Sequence, residues 1–396
     1  MDRRRFLKAA GLGAAGLFAG CSAEPTDEAT ATDSPDGSTT GTSTGTPESG
    51  TETATEGTTT GTATAGLASL RVGTYPAFLD APSTSPGGWV KEEFESRHDV
   101  ELEWFAPEDE MTYFLQRRGA GEPIETDLYL GLTAEDLVRT DQGVEGEEGL
   151  FASVDTARLS NVDSVVEDFR FDPQDRAIPF GASYVSLVYN RNLLDERGVG
   201  DPETFDDLTS PDFEDGLLVP SPQGSTTGLK FLLWTVDHFG EEGYLDYWSD
   251  LTDNGTRVLN SWGDAYDAYS NGEAPMVVSF STDQVYADRR DQDMAEHQVG
   301  FPDGEGYRYV DGMAPFRETE KTDLAVEFMN FVLDPEVQAE IAERNVGLPA
   351  VENATLPEDY GDLVYEPEEI VGLGYDDLVG NMDGWVDSWS RQIASQ

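Results

Sequence analysis

Alternating apolar and polar residues from about residue 67 onward predict a domain that contains strands. Residues 70–75 and 100–106 follow the two-residue period of a strand, with Val100, Leu102 and Trp104 on one face. Four more short runs combine apolar and β-prone residues, and they span 127–132, 183–190, 216–222 and 274–281.

Helical spacing appears in residues 229–240 and 322–343, so helices are expected among and after the strands. The apolar residues of the second segment share one face, and they are Leu324, Phe328, Phe331 and Val332. Strands that alternate with helices predict an α/β fold. The roughly 330 residues of this region exceed what a single core usually holds, so we expect two lobes.

The first 66 residues differ in composition and predict export and tethering. Residues 1–21 combine a basic head containing Arg3 and Arg4, a short apolar run and Cys21. This order resembles a twin-arginine export signal ending in a lipoprotein cleavage site, so Cys21 is predicted to carry a lipid anchor. Residues 22–66 are almost entirely Thr, Gly, Ser, Ala, Pro and acidic residues, which predicts a disordered tether. Because Cys21 is the sole cysteine, a disulfide framework and a cysteine nucleophile are excluded from the folded domain.

The chain is strongly acidic, with 79 Asp and Glu residues against 24 Lys and Arg residues and a formal net charge of −55. Such a surface repels nucleic acid and anionic membranes. The pattern is typical of proteins from salt-saturated environments, where the screening length falls to about 3 Å. We therefore interpret the charge as a sign of a halophilic habitat rather than of a particular ligand.

Few residues point to catalysis. His98, His238 and His297 are far apart and lack metal-binding spacing, so each is expected to be a surface histidine or one satisfied by its neighbours. No phosphate-binding loop occurs, and the single GxSxG pattern lies in the Thr-rich segment rather than after a strand. We expect a protein that is not an enzyme. A secreted hydrolase, which would need a nucleophile beside a base, remains an alternative.

Two stretches point instead to ligand binding. Trp262, Phe280 and Tyr286 surround one strand-like run, and aromatic faces suit a flat, cationic heteroaromatic ligand. Ser225 and Thr226 open the first predicted helix, where hydroxyls and free backbone N–H groups can bind a polar group. The same two residues also suit ordinary helix capping, so both interpretations stay open.

Seven segments, in matching order and spacing, resemble the bacterial thiamine-binding proteins that serve ATP-driven importers. They read APEDEMTYFLQRR, DLYLGL, IPFGASYVSLVYNRNLL, STTGLKFLLW, SWGDAYDAY, MVVSFSTDQVYA and LPAVENATLP. The resemblance covers about residues 70–391 and implies the two-lobed Venus-flytrap fold of type 2 periplasmic binding proteins. It implies a monomer without a cofactor, with lobe 1 at about 67–178 plus 312–396 and lobe 2 at about 179–311.

The resemblance also implies a set of ligand-binding positions. They are Tyr75, Asp109, Glu110, Ser225, Thr226, Trp262, Phe280, Ser281, Thr282, Asp283 and Tyr286.

Four of the chain's residues differ from the family's pattern. Glu110 replaces a glycine, Phe280 lacks the hydroxyl of the family's tyrosine, and Val346 replaces a tryptophan. Asp283 replaces a serine, and its charge is expected to favour a cation over a phosphorylated ligand. An unpaired buried carboxylate is costly, so an uncharged sugar is a poor candidate ligand.

The sequence therefore predicts a receptor held by a lipid anchor at the outer face of the cell membrane. It is expected to capture thiamine or its phosphates and to deliver them to an ABC permease and its ATPase. A receptor for another cationic solute or for ferric iron is the first alternative, although iron receptors usually need adjacent tyrosines and no Tyr-Tyr pair occurs. A surface adhesion protein, which would need no cleft, is a further alternative.

Overall fold

The computed structural model describes residues 67–81, 84–143 and 149–393. The predicted export signal at 1–21, its Cys21 and the tether at 22–66 lie outside the described residues. The predicted lipid anchor and tether therefore remain predictions.

Within the described residues, eleven strands hydrogen-bond into one sheet. In chain order they are β1 (Ala68–Thr74), β2 (Val100–Phe105), β3 (Leu128–Leu132), β4 (Ile178–Tyr189), β5 (Leu217–Pro220), β6 (Arg257–Leu259), β7 (Met276–Phe280), β8 (Gln298–Gly300), β9 (Glu305–Pro315), β10 (Leu348–Pro349) and β11 (Glu369–Val371). Every strand-like run of the sequence coincides with one of these strands.

The helices lie between the strands, which confirms the α/β prediction. In chain order they are α1 (Pro76–Leu79), α2 (Gly87–Arg97), α3 (Glu110–Gly119), α4 (Ala134–Gln142), α5 (Arg191–Arg197), α6 (Phe205–Thr209), α7 (Thr226–Asp253), α8 (Trp262–Ser270), α9 (Asp283–Arg289), α10 (Thr322–Val332), α11 (Pro335–Asn345), α12 (Glu358–Gly361), α13 (Tyr375–Leu378) and α14 (Met382–Ile393). The predicted helix at 322–343 is divided into α10 and α11. The break has a local cause, because Asp334 caps the second helix and Pro335 is its first residue.

The sheet has parallel strands at both ends and a long antiparallel pair between them. Its order is β2-β1-β3-β9-β4-β7-β5-β6. β1 pairs in parallel with β2 and β3, and β5 pairs in parallel with β6 and β7. β4 and β9 run antiparallel to each other and connect the two parallel ends. Both predicted lobe boundaries, near residues 178 and 312, fall on this central pair; the lobes themselves remain a prediction.

Packing follows the apolar faces that the sequence predicts. Phe328 and Val332 are fully buried, Phe331 is nearly so, and all three belong to the core formed with β1, β2 and β3. Trp234 and Trp248 of α7 are fully buried in a second, larger core. None of the helices in the described part of the chain combines the length and the apolar character needed to cross a bilayer.

Candidate functional site

A cavity of about 260 Å³ lies beside the paired strands β4 and β9 in the middle of the sheet. Its walls combine aromatic and polar side chains. The aromatic residues are Tyr75, Phe280, Tyr286 and Tyr309, and the polar ones include Ser183, Thr282, Asp311 and Asn345. A mostly apolar wall with a few convergent polar groups is typical of a site for a small molecule.

Tyr75 forms one wall because it directly follows β1 at the edge of the cavity. Its hydroxyl accepts a hydrogen bond of 2.8 Å from the Asn345 side chain at the end of α11. Gly131 in β3 makes room for the Tyr75 ring, because a Cβ atom at position 131 would lie 2.5 Å from a ring carbon. The backbone φ of Gly131 is +113°, a conformation that favours glycine. Burial, followed by the nearby Asp311 charge, raises the pKa of the Tyr75 hydroxyl, which therefore stays protonated.

Phe280 forms another aromatic part of the cavity wall, at the end of β7. Its ring centroid lies 5.5 Å from that of Tyr309, in an edge-to-face arrangement. Trp262 packs behind it, with ring centroids 6.1 Å apart, and donates a hydrogen bond of 3.1 Å to the Ser279 hydroxyl. The structure thus places Phe280 on the cavity wall and Trp262 as its support.

In residues 281–286, which follow β7, some side chains line the cavity and others are buried in the interior. Thr282 and Tyr286 line the cavity, whereas Ser281 is fully buried. Burial and the Asp283 charge raise the pKa of Tyr286 to about 12, so its hydroxyl remains neutral.

Asp283 is engaged inside the protein rather than on the cavity wall. Its carboxylate accepts hydrogen bonds of 2.6 Å from the Tyr266 hydroxyl and 2.7 Å from His297 Nδ1. Asp283 and His297 are both almost completely buried. Two neighbouring side chains already satisfy the Asp283 carboxylate, and the expectation that its charge favours a cationic ligand stays a prediction.

The other sequence-predicted residues do not line this cavity. Asp109 and Glu110 are exposed at the start of α3. Ser225 caps α7 by accepting a hydrogen bond of 3.4 Å from the Gly228 backbone, and Thr226 is exposed. The capping interpretation of Ser225 is thereby confirmed, while a ligand-binding role for these four residues stays a prediction.

Five polar or aromatic cavity residues were missing from the sequence-based set. They are Thr84, Ser183, Tyr309, Asp311 and Asn345. A signal exists for two of them: Tyr307, Tyr309 and Asp311 recur at a spacing of two, as expected for one face of a strand. Val346, where the family has a tryptophan, also lines the cavity. The substituted position is thus part of the cavity wall.

A buried ion pair lies behind Tyr309. Lys230 Nζ is 2.8 and 2.9 Å from the two carboxylate oxygens of Glu135, and both residues are almost fully buried. The ammonium group is also 4.8 Å from the centroid of the Tyr309 ring. Since Glu135 compensates the Lys230 charge, this lysine does not cancel the negative charge of the cavity.

Each histidine has an acidic partner, which confirms the expectation that the histidines are satisfied by neighbours. His98 Nδ1 lies 2.6 Å from Glu327, and His238 Nδ1 lies 3.0 Å from Glu305. In the described residues, no group of three or more His, Cys, Asp and Glu side chains is arranged to hold a metal ion.

The family model for bacterial extracellular solute-binding proteins matches residues 146–363, just over half of the chain. The chain therefore belongs to this family of extracellular solute-binding proteins.

Among individual proteins, the chain is similar to thiamine-binding members of this class. The chain is 27% identical over 325 residues to the thiamine-binding periplasmic protein of Escherichia coli, covering 82% of this chain and 93% of that protein. A solved periplasmic thiamin-binding protein matches with a TM-score of 0.68 and 26% identity, over 82% of this chain and 96% of that one. The Mannheimia haemolytica ferric iron-binding protein A, in an open conformation, matches with a TM-score of 0.66 and 15% identity, over 83% of this chain and 99% of that one. The type 2 periplasmic-binding-protein fold expected from the sequence is thus confirmed.

Proposed function

We propose that this protein is the extracytoplasmic receptor of an ABC importer and that it captures thiamine or its phosphates. The observation that carries the proposal is the cavity, which joins aromatic rings to the Asp311 carboxylate in a chain similar to thiamine-binding proteins. Thiamine carries a permanently charged thiazolium ring and a flat aminopyrimidine ring. Aromatic faces and a carboxylate are the groups that recognise such a ligand.

A binding role is favoured over catalysis by the surroundings of the buried histidine. A hydrolase needs a nucleophile activated by an adjacent base. Of the three histidines, His297 lies nearest in the sequence to the cavity residues that follow β7. It is buried against Asp283 and Tyr266. We therefore propose that the protein is not an enzyme and that it binds its ligand without chemical change.

Ferric iron is the second candidate ligand because an iron-binding protein shares the fold. The aromatic cavity walls favour an organic cation over a metal ion, since the cavity presents a single carboxylate. This alternative is tested alongside thiamine.

The test is calorimetric titration of the purified protein with thiamine and, separately, with ferric citrate at high salt. Saturable thiamine binding is expected, and Phe280→Ala should weaken it by about 1–2 kcal/mol through loss of one aromatic wall. Phe239→Ala, on α7 outside the cavity, is the matched control. Iron binding without thiamine binding, or no thiamine binding below the millimolar range, would contradict the proposal.

We further propose that Cys21 anchors the receptor to the outer face of the membrane after twin-arginine export. The tether at 22–66 would then allow the binding domain to reach the permease. The support is the sequence of the first 21 residues. Cys21→Ser should release the protein into the medium, and full retention in the membrane fraction would contradict the anchor.

A further inference from the structure

Asp311 lies on β9 at a point where the neighbouring strand leaves it uncovered. Its register partner on β4 is Gly181, which has no side chain, and both residues line the cavity. Within the described residues, no hydrogen bond or ion pair reaches the Asp311 carboxylate. A carboxylate partly buried without a partner is costly, so its position on a cavity wall points to a missing ligand group.

The groups that surround Asp311 make the cavity attractive to positive charge. The charged ones are Glu110, Glu135, Asp136 and Lys230, and the nearby tyrosines are Tyr75, Tyr129 and Tyr309. Lys230 is the one cation among them, and its ammonium group is bound to both oxygens of Glu135. The balance of charge facing Asp311 is therefore negative.

Ser183 provides a second, independent sign of a ligand. It lies on β4 opposite Tyr309, is only 9% exposed and lines the cavity. Its hydroxyl has no hydrogen-bond partner within the described residues. Buried polar atoms are normally paired in folded proteins, so this hydroxyl is available to a polar group of a bound molecule.

We propose that Asp311 is the residue that selects a positively charged ring in this cavity, with the Ser183 hydroxyl bonding to the polar edge of the same ligand. The inference rests on the proposed function and deepens it. It assigns the cation-selecting role to a residue of the central strand β9 rather than to Asp109 or Asp283.

A consequence follows for the pH dependence of binding. Burial and the carboxylates of Asp136, Glu110 and Glu135 outweigh the Lys230 charge and raise the pKa of Asp311 to about 7. Much of the ligand-free protein at neutral pH therefore holds a proton on Asp311, and a cation favours the ionised form. Binding should release that proton and should weaken as the pH falls below about 7.

The test compares two cations with an uncharged ligand of matched shape. The probes are thiamine, 1-methylnicotinamide as a smaller aromatic cation, and nicotinamide as its neutral counterpart. Asp311→Asn should weaken binding of a cation by about 10- to 100-fold and leave nicotinamide binding unchanged. Wild-type affinity for the cation should fall about tenfold between about pH 8 and about pH 6, whereas the variant should show no such fall. Asp237→Asn, which removes another carboxylate of raised pKa from outside the cavity, should behave as wild type.

The outcomes separate this inference from the proposed function. If the protein binds 1-methylnicotinamide but not thiamine, and Asp311→Asn abolishes that binding, the thiamine proposal fails and the role of Asp311 stands. If thiamine binds equally well to wild type and Asp311→Asn, the thiamine proposal stands and the role of Asp311 is overturned. Failure of the wild-type protein to bind either cation overturns both.

Discussion

Asp283 and Asp311 are two aspartates near the same cavity that have opposite surroundings. Asp283 accepts hydrogen bonds from Tyr266 and His297 and is almost fully buried. Asp311 faces the cavity, and no hydrogen bond or ion pair reaches its carboxylate within the described residues. The difference shows that the partners of a carboxylate decide its role. Asp283 holds the protein together, whereas Asp311 is available to a ligand.

The largest expected effect comes from breaking the Asp283 network. Asp283→Ala leaves the buried His297 and Tyr266 without their acceptor, which should lower the free energy of unfolding by about 3–5 kcal/mol. Guanidinium unfolding followed by fluorescence measures the change. Asp288→Ala, an exposed position on α9, is the control and should change stability by less than about 0.5 kcal/mol. Equal unfolding midpoints for Asp283→Ala and the control would contradict a structural role of Asp283.

Replacing Asp311 is expected to have the opposite effect and to stabilise the ligand-free protein. Its folded-state pKa of about 7 lies above the ordinary value of 3.8, so the ligand-free protein should lose stability as the pH rises from about 4 to about 7. Asp311→Asn avoids this loss and should raise the free energy of unfolding at about pH 8 by about 1–2 kcal/mol, allowing for partial exposure. Unfolding curves at several pH values provide the measurement. Destabilisation of the variant at this pH would mean that Asp311 has an internal partner.

The sequence predicts six of the strands but misses one half of the central pair. Strands β1 to β5 and β7 were predicted because their residues alternate between apolar and polar or form short runs rich in apolar and β-prone side chains. β9 was missed, since Gly306, Arg308 and Gly312 weaken its pattern, and its pairing with β3 and β4 determines its conformation. Missing β9 also meant missing Tyr309 and Asp311.

The roles of individual site residues depend on contacts that sequence spacing does not contain. Tyr266, on α8, lies 17 residues before Asp283, and His297, just before β8, lies 14 residues after it. Only the packing of α8 and β8 around α9 brings the three together. Phe280 and Tyr286 were found because they lie at and just beyond a strand end, where α/β proteins place ligand-binding residues, whereas Tyr75 and Thr282 were found through the family resemblance.

The smallest expected effect concerns Ser183. Because its hydroxyl has no hydrogen-bond partner among the described residues, Ser183→Ala should leave stability nearly unchanged and weaken thiamine binding by about 1 kcal/mol. Ser186→Ala is the matched control: this buried strand position lies outside the cavity, its hydroxyl also lacks a partner in the described part of the chain, and the change should not alter binding. Equal thiamine affinities for the two variants would show that Ser183 does not contact the ligand.

The role proposed for Asp311 is tested most directly by the number of protons released when thiamine binds. Calorimetric titrations at about pH 7, in two buffers with different ionisation enthalpies, measure this number. We expect release of about half a proton per ligand in the wild-type protein and none in Asp311→Asn, because Asp311 is half protonated near its pKa of about 7. Saturable thiamine binding without proton release, or the same release in both proteins, would contradict it.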